Sequence, residues 1–424
     1  MRLDLKRALD FWVGRILLAL LRAVDVAVGF VVRRNHAIHP VRRVLFAKFQ
    51  GIGSLVICKP AIADLRFAFP EARFVFWGTP ALAELAREMP EFDEILVLDD
   101  RNLLTACVST MTALVKTWRT PIDWAFDLEV YSRLSSVLVT LTCARNRAGF
   151  ALEQLRSRRV HTHLVYFNRY RYVGEAYARL LGQLTPGSTH DGHDYDFGSW
   201  NFALDPLPDV PRPYFVFNIH AGDLSLERRW PLTSFRYLIA GTLERWPKAT
   251  AVLIGHGERE VYYSSLIERS ERVLDLSGKL SMQETTRLMA NADLVVSNDT
   301  GPLHLALATQ APVVGLFGPT RGDTYVPPHR PRTMVLQESI YCSPCVHHWE
   351  PPPCGGDNQC MKRLSPARVL AACEALLGLP ASHRKDVEVD LAMHRESLGT
   401  SREDAPPTSP SRYYPGVVYS RPER

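Results

Sequence analysis

The stretch Asp293 to Thr320, DLVVSNDTGPLHLALATQAPVVGLFGPT, constrains this chain most. Leu294, Val295 and Val296 are a short apolar run, fit for a strand buried on both faces. Ser297-Asn298-Asp299-Thr300-Gly301 ends the run with turn-forming residues. Pro302 suits the first turn of a helix, where its missing N–H costs little. That helix runs to about Thr309, and Pro312 to Phe317 begins a second strand. Strand, polar turn, helix and strand in close succession predict a parallel α/β sheet. The turn places Thr300, Gly301 and free backbone N–H groups at a helix N-terminus, which attracts anions and above all phosphates. His304, about one helical turn on, either faces the same ligand or is a satisfied core histidine. Such turns also occur where nothing binds, so form alone leaves phosphate binding open.

The same alternation fills the chain. Val44 to Phe49 predicts a strand, Gly51-Ile52-Gly53-Ser54 a turn, and Leu55 to Phe69 a helix. Strands at Phe74 to Trp77, Ile95 to Leu98 and Asp123 to Leu128 alternate with helices at Ala81 to Glu88, Asn102 to Trp118 and Ser132 to Cys143. Thr185 to Trp200 and the proline-rich Pro206 to Pro213 read as a linker. The pattern restarts with a strand at Tyr214 to Ile219 and a helix at Phe235 to Arg245. A strand at Thr250 to Ile254 ends at Gly255-His256-Gly257-Glu258. Val273 to Leu276 is short and extended, and the helix Met282 to Asn291 feeds the opening motif. The expected fold is α/β, with two Rossmann-like parallel-sheet domains facing a cleft and a ligand at the C-terminal strand ends. Residues 41–200 form the first domain and 201–380 the second.

The flanks differ. Phe11 to Val32 is largely apolar but carries Arg15, Arg22 and Asp25, too many charges for a membrane-spanning helix. Asp4, Arg15 and Arg22 fall on one line at helical periodicity, with Arg7 and Asp25 beside it. Residues 1–40 therefore read as an amphipathic helix on a membrane surface, with Trp12 at headgroup depth; packing on the protein itself is the alternative. The interrupted apolar region argues against a cleaved signal peptide. Residues 381–424, with Ala405-Pro406-Pro407-Thr408-Ser409-Pro410, read as a disordered tail. The net charge of +5 is spread out, with no basic block and no finger spacing, so no nucleic-acid partner is expected. Ser277-Gly278-Lys279 lacks the upstream glycine of a Walker A loop.

Cys342, Cys345, Cys354 and Cys360 form C-x2-C-x8-C-x5-C. Structural zinc, free or redox thiols, and disulfides all fit that spacing, and His347 or His348 could replace a ligand. Cys58, Cys107, Cys143 and Cys373 lie in apolar elements and read as core.

Asn298 to Ala306, with Gly315-Leu316-Phe317-Gly318-Pro319-Thr320, resembles glycosyltransferase family nine, which contains the lipopolysaccharide heptosyltransferases. Gly51-Ile52-Gly53, Phe126-Asp127-Leu128, Arg147-Ala148-Gly149-Phe150 and Arg229-Trp230-Pro231 extend the likeness over roughly Val41 to Leu377. The resemblance implies a GT-B fold, inverting chemistry without a catalytic metal or other cofactor, and a nucleotide-sugar donor in the C-terminal domain. On that basis Asn298, Asp299, Thr300, Gly301 and His304 bind the donor, and Arg229 neutralises the leaving diphosphate. Glu258 or Glu260 accepts hydrogen bonds from a ribose. Trp230 reads as packing. Gly51, Gly53 and Ser54 form the acceptor-side loop. A cysteine cluster like this one is similar to that of many family members and is expected to shape a loop near the donor site.

One departure matters. The family's glycine turn usually reads Gly-Asp, with the Asp as general base; here it is Gly53-Ser54, and an unassisted Ser is a poor base near neutral pH. Asp223 is the expected replacement, ahead of Glu227, Asp127 and Glu129. Lys48 and Lys59 could meet acceptor phosphates or be ordinary surface charges. The expected protein is a glycosyltransferase moving a sugar, possibly a heptose, from a nucleotide-diphosphate sugar to a glycolipid or polysaccharide precursor. It would sit in the cytoplasm, peripheral on the inner face of the plasma membrane. A non-catalytic nucleotide-sugar-binding scaffold, or a sugar-nucleotide epimerase or hydrolase, are the alternatives.

Overall fold

The computed structural model of the chain describes residues 5, 8–32, 36, 40–152, 160–185, 200, 210–222, 225–346, 352 and 354–378. A short π-helical segment, Leu9–Val13, leads into helix α1, Gly14–Val32. The first domain then alternates β1 (Arg43–Lys48), α2 (Ile52–Ala68), β2 (Arg73–Gly78), α3 (Pro80–Arg87), β3 (Glu94–Val97) and α4 (Leu103–Arg119). It continues with β4 (Trp124–Asp127), α5 (Arg133–Leu141), β5 (Asn146–Ala151), β6 (His163–Tyr166) and α6 (Val173–Leu181). Its sheet is parallel throughout, in the order β3-β2-β1-β4-β5-β6.

The second domain repeats that order. It contains β7 (Tyr214–Asn218), α7 (Leu232–Arg245), β8 (Thr250–Ile254), α8 (Glu258–Ser265), β9 (Val273–Asp275), α9 (Met282–Ala290) and β10 (Leu294–Asn298). It closes with α10 (Gly301–Leu307), β11 (Val313–Phe317), α11 (Gly322–Tyr325), β12 (Thr333–Gln337), α12 (Gln359–Lys362) and α13 (Pro366–Leu376). The strand order β9-β8-β7-β10-β11-β12, again parallel, is the doubly wound order of the first sheet. The crossovers reverse between β1 and β4 in one sheet and between β7 and β10 in the other, and ligands of such sheets sit at those switch points.

Side-chain alternation explains why the central strands read as continuous apolar runs. Val44 and Phe46 point into one layer with Phe74, Phe76 and Phe126, while Leu45 and Ala47 point into the other with Val75, Trp77 and Ala125. The first of these cores does not stop at the domain. It runs through Leu55 and Ile62 of α2 to Leu303, Leu305 and Ala306 of α10, and on to Val216 and Val295 of the second sheet. The two switch points are thereby packed face to face.

Helix α1 departs from the expectation drawn from its charges. It packs on the first domain along Asp10, Leu18, Leu21 and Asp25, so Asp25 belongs to the buried side and not to the face with Arg15 and Arg22. Asp25 accepts from Arg147 Nη2 at 3.0 Å. Arg147, fully buried, also donates to the carbonyls of Ala144 and Val160. Asp4, Arg7 and the tail from 379 lie outside the described residues.

Candidate active site

The site is built from the ends of β7 and β10 and from the loop before α7. Asn298 ends β10, and its side chain is a bracket. Its Nδ2 donates to the His220 carbonyl at 3.0 Å, and its Oδ1 accepts from the Trp230 N–H at 3.1 Å. Trp230, buried, donates from Nε1 to the Leu364 carbonyl at 2.9 Å. This pins the Leu226–Arg228 turn and Arg229 over the end of the sheet. Asn298 thus serves to position the loop.

Asp299 is buried and collects the charges of the site. Thr320 Oγ1 donates to its Oδ2 at 2.5 Å, Arg228 Nη1 lies 3.6 Å from the same oxygen, and His304 Nε2 lies 3.6 Å from Oδ1. The last two are charge contacts longer than formed hydrogen bonds. Burial alone would push the Asp299 carboxyl up; His304, Arg228 and Thr320 outweigh it and bring the value down to about 2. Arg228 is the residue that sequence reasoning missed. The Arg-Arg-Trp-Pro run holds two arginines, and only the one beside Trp230 matched the family motif. Two buried polar atoms of the residues beside Asp299 make no hydrogen bond in this structure: Arg228 Nε and His304 Nδ1. Buried polar atoms are rarely left so, and their gathering at one switch point makes it the candidate ligand site.

Arg229 lies apart from Asp299. Its guanidinium stacks on the Tyr263 ring at 4.1 Å, beside His220. His220 Nε2 meets Ser264 Oγ at 3.0 Å. Burial, reinforced by Arg229, depresses the His220 imidazole to about 3, so it is neutral at physiological pH. Glu258 opens α8 and is exposed, whereas Glu260 accepts from the His256 N–H at 2.7 Å and closes its own turn. Thr300 begins the next helix, and its hydroxyl accepts from Asn218 Nδ2 at 2.7 Å.

From the other domain, the Gly51 turn closes over this set. Gly51 adopts φ 79°, a left-handed conformation that favours glycine and lets the chain enter α2. A Cβ on Gly53 would lie 2.1 Å from His304 Cδ2, so only glycine allows this approach of the two domains. Ser54 donates its side-chain hydrogen bonding to Tyr177 and does not stand free as a base.

The remaining carboxylates of the first switch point are committed. Asp127 accepts from Ser135, Ser136 and His161, and Glu129 accepts from the Phe49 and Gln50 N–H groups, each at 2.7 Å. Lys48 pairs with Glu129 at 3.1 Å and is 3% exposed. Lys59 pairs with Glu91 at 2.7 Å and is 0% exposed. Neither lysine is the surface charge or the phosphate ligand expected of it, because each is buried against a carboxylate of its own domain. Asp223 lies outside the described residues.

The four clustered cysteines, Cys342, Cys345, Cys354 and Cys360, form no disulfide. Burial, then the neighbouring thiols, raise Cys345 to about 11 and Cys360 to about 12. Among the described residues no group of three or more His, Cys, Asp or Glu is arranged to hold a metal ion; His347 and His348 lie outside them.

Comparison with known proteins shows the family and the fold. The family model for glycosyltransferase family 9 (heptosyltransferase) matches residues 132–354. Lipooligosaccharide heptosyltransferase 2 of Campylobacter jejuni is 20% identical over 332 residues, which cover 77% of this chain and 95% of that one. Lipopolysaccharide heptosyltransferase 1 of Salmonella typhimurium is 26% identical over 300 residues, 66% of this chain and 89% of that one. The E. coli heptosyltransferase WaaC, solved with ADP, superposes with a TM-score of 0.60 at 18% identity, covering 79% of this chain and 99% of that one. That structural likeness establishes the GT-B fold.

Proposed function

This chain belongs to glycosyltransferase family 9, and on that premise we propose that it transfers a heptose-class sugar from ADP-heptose to a hydroxyl of a lipopolysaccharide-type acceptor. The donor nucleotide is taken from the ADP-bound relative, and the acceptor from the names of the relatives. One observation carries the reading: Arg228, Asp299, His304 and Thr320 are gathered under the Gly53 turn, with unmet buried polar atoms between them.

In the proposed reaction the acceptor hydroxyl attacks the anomeric carbon from the face opposite the diphosphate. A carbon–oxygen bond forms to the acceptor, the bond to the diphosphate breaks, and ADP leaves with the electron pair. Negative charge grows on the leaving phosphate, and Arg228 and Arg229 are the cations placed to meet it, with the Thr300-Gly301 turn holding the diphosphate. No catalytic metal enters this scheme. Asp299, held near 2, is too weak a base to take the acceptor proton; it serves to hold Arg228 and His304 in place. Asp127 and Glu129 are spent on internal partners. We assign proton acceptance to Asp223, in the loop that follows β7. Glu258 is assigned to the ribose.

Thermal-shift binding of ADP, UDP, GDP and CDP, followed by ADP release from ADP-heptose with and without acceptor, tests the proposal. A stabilisation selective for ADP, lost in Arg228→Ala, together with acceptor-dependent turnover lost in Asp223→Asn, is expected. Donor consumption without acceptor would replace it with a hydrolase or epimerase, and binding without turnover with a scaffold.

A further inference from the structure

Asp10, Gly14, Leu18, Leu21 and Asp25 recur at helical spacing and form the inner stripe of α1 and the turn before it. Asp10 Oδ1 accepts from the N–H groups of Arg133 and Leu134, at 2.7 and 2.9 Å, and from Ser132 Oγ at 2.7 Å, so it caps α5. Gly14 sits against Arg133, and Leu18 packs with Val137 and Val160. Asp25 ends the stripe on Arg147. Both acids of this segment are consumed by the domain.

The opposite side carries large apolar side chains: Trp12 is 64% exposed, and Ile16, Leu20 and Val24 are similarly open. Arg15 and Arg22 are exposed on the flank of that face. The face continues onto a second helix. Leu141 of α5 and Leu21 of α1 pack against the same Leu18–Val137–Val160 cluster, and the Leu141 carbonyl accepts from Trp118 Nε1 of α4 at 2.8 Å, so α5 has α1 and α4 as neighbours. Helix α4 exposes Leu103, Leu104, Val108, Met111 and Trp118. Scattered exposed leucines need no explanation, but two helices that share α5 as a neighbour and both carry outward apolar faces do.

We propose that the outer faces of α1 and α4 form one surface that docks on a bilayer containing anionic lipid. Charge selects this occupant. The acids of α1 point inward while Arg15 and Arg22 point outward, and α4 contains no acidic residue. Of the two acids in the loop before α4, Asp99 is bound by Arg101 at 2.6 Å, and Asp100 is half-buried and has a partner of its own. An apolar face with tryptophans at its edges and exposed cations, and with no acid on the outer side of either helix, complements an anionic interface. No helix among the described residues is long and apolar enough to cross a membrane, so the contact lies in the interface plane. Helices α4 and α5 begin at the C-terminal ends of β3 and β4, so the end of the surface carrying Trp12 and Leu104 lies toward the cleft, where a lipid-anchored acceptor would arrive. The surface is independent of the donor assignment above.

Co-sedimentation of the full chain with vesicles of phosphatidylcholine alone, or with phosphatidylglycerol added, tests the proposal, with ADP thermal shift and near-UV circular dichroism as controls of fold. The full chain is expected to bind the anionic vesicles. Ile16→Glu/Leu20→Glu on α1 and Leu104→Glu/Val108→Glu on α4 are each expected to weaken that binding more than tenfold. Arg15→Ala/Arg22→Ala should lose roughly fivefold per arginine on anionic vesicles only, from about 1 kcal/mol per basic residue at such a surface. Binding that ignores the α4 variant would overturn the two-helix surface. So would a concentration-dependent dimer in light scattering that the same substitutions abolish, which would make the face a contact between copies of this chain.

Discussion

At the first switch point, between β1 and β4, the buried charges answer one another: Lys48 meets Glu129 at 3.1 Å, and Asp127 accepts from Ser135, Ser136 and His161. At the second, between β7 and β10, Asp299 meets Arg228 and His304 only at 3.6 Å, and atoms of both residues lie buried without a hydrogen bond. The strand order is the same in both sheets. The first site spends its polar groups on one another and on the chain just before the Gly51 turn. The second holds them in reserve, which is what a ligand that brings its own charges requires. Equal topology therefore does not make equal sites; the degree to which side chains satisfy one another separates scaffold from binding surface.

Breaking a satisfied network should show in stability. Asp127→Ala strands Ser135, Ser136 and His161 in the core, and a loss of about 3–5 kcal/mol is expected from the urea midpoint. An unchanged midpoint would end the contrast. Breaking the unsatisfied site should show in rate. Arg228→Ala is expected to lower kcat by about 100- to 1,000-fold, the usual cost of removing a group that meets transition-state charge, while the urea midpoint barely moves. A comparable fall in stability would make Arg228 structural.

A pH titration sharpens the comparison further. His220 is depressed to about 3 when folded, below its ordinary 6.5, so the unfolded chain binds the proton more readily. That contribution is complete above about pH 6.5 and declines as pH falls toward 3, by about 1.4 kcal/mol per pH unit at most. His220→Gln should flatten the stability profile between pH 6.5 and 5.5. The smallest effect is expected at Ser54. Ser54→Ala removes a hydrogen bond to Tyr177 and should cost under about 1.5 kcal/mol with kcat changed less than fivefold. A large loss of rate would return Ser54 to the chemistry.

Some of the fold was legible because central strands are apolar on both faces. Val44 to Phe49, Tyr214 to Ile219 and Leu294 to Val296 stand out for that reason, and the structure has strands there. One edge of each sheet was not. His163–Tyr166 alternates half-buried with exposed residues, and Thr333–Gln337 is half-buried along most of its length. Leu164 to Tyr166 and Met334 to Leu336 are apolar but not buried on both faces, and a neighbouring strand on one side supplies their hydrogen bonds. Helix α1 shows the limit of a helical wheel. Its charges were grouped by angle, yet Asp25 is held by Arg147, more than a hundred residues away in sequence.

By itself the sequence determined the class of the molecule. Runs of apolar residues punctuated by glycine turns admit only parallel sheets with crossover helices, and the Asn298–Gly301 turn fixes where the second sheet opens. Tertiary structure alone decided which charges are free to act. Lys48, Lys59, Asp127 and Glu129 look like site residues along the chain and are bound to partners from other elements, whereas Arg228 looks incidental and stands beside Asp299. The reason is physical. A buried charge is governed by what lies within a few ångströms of it, and those neighbours come from residues that only folding brings near.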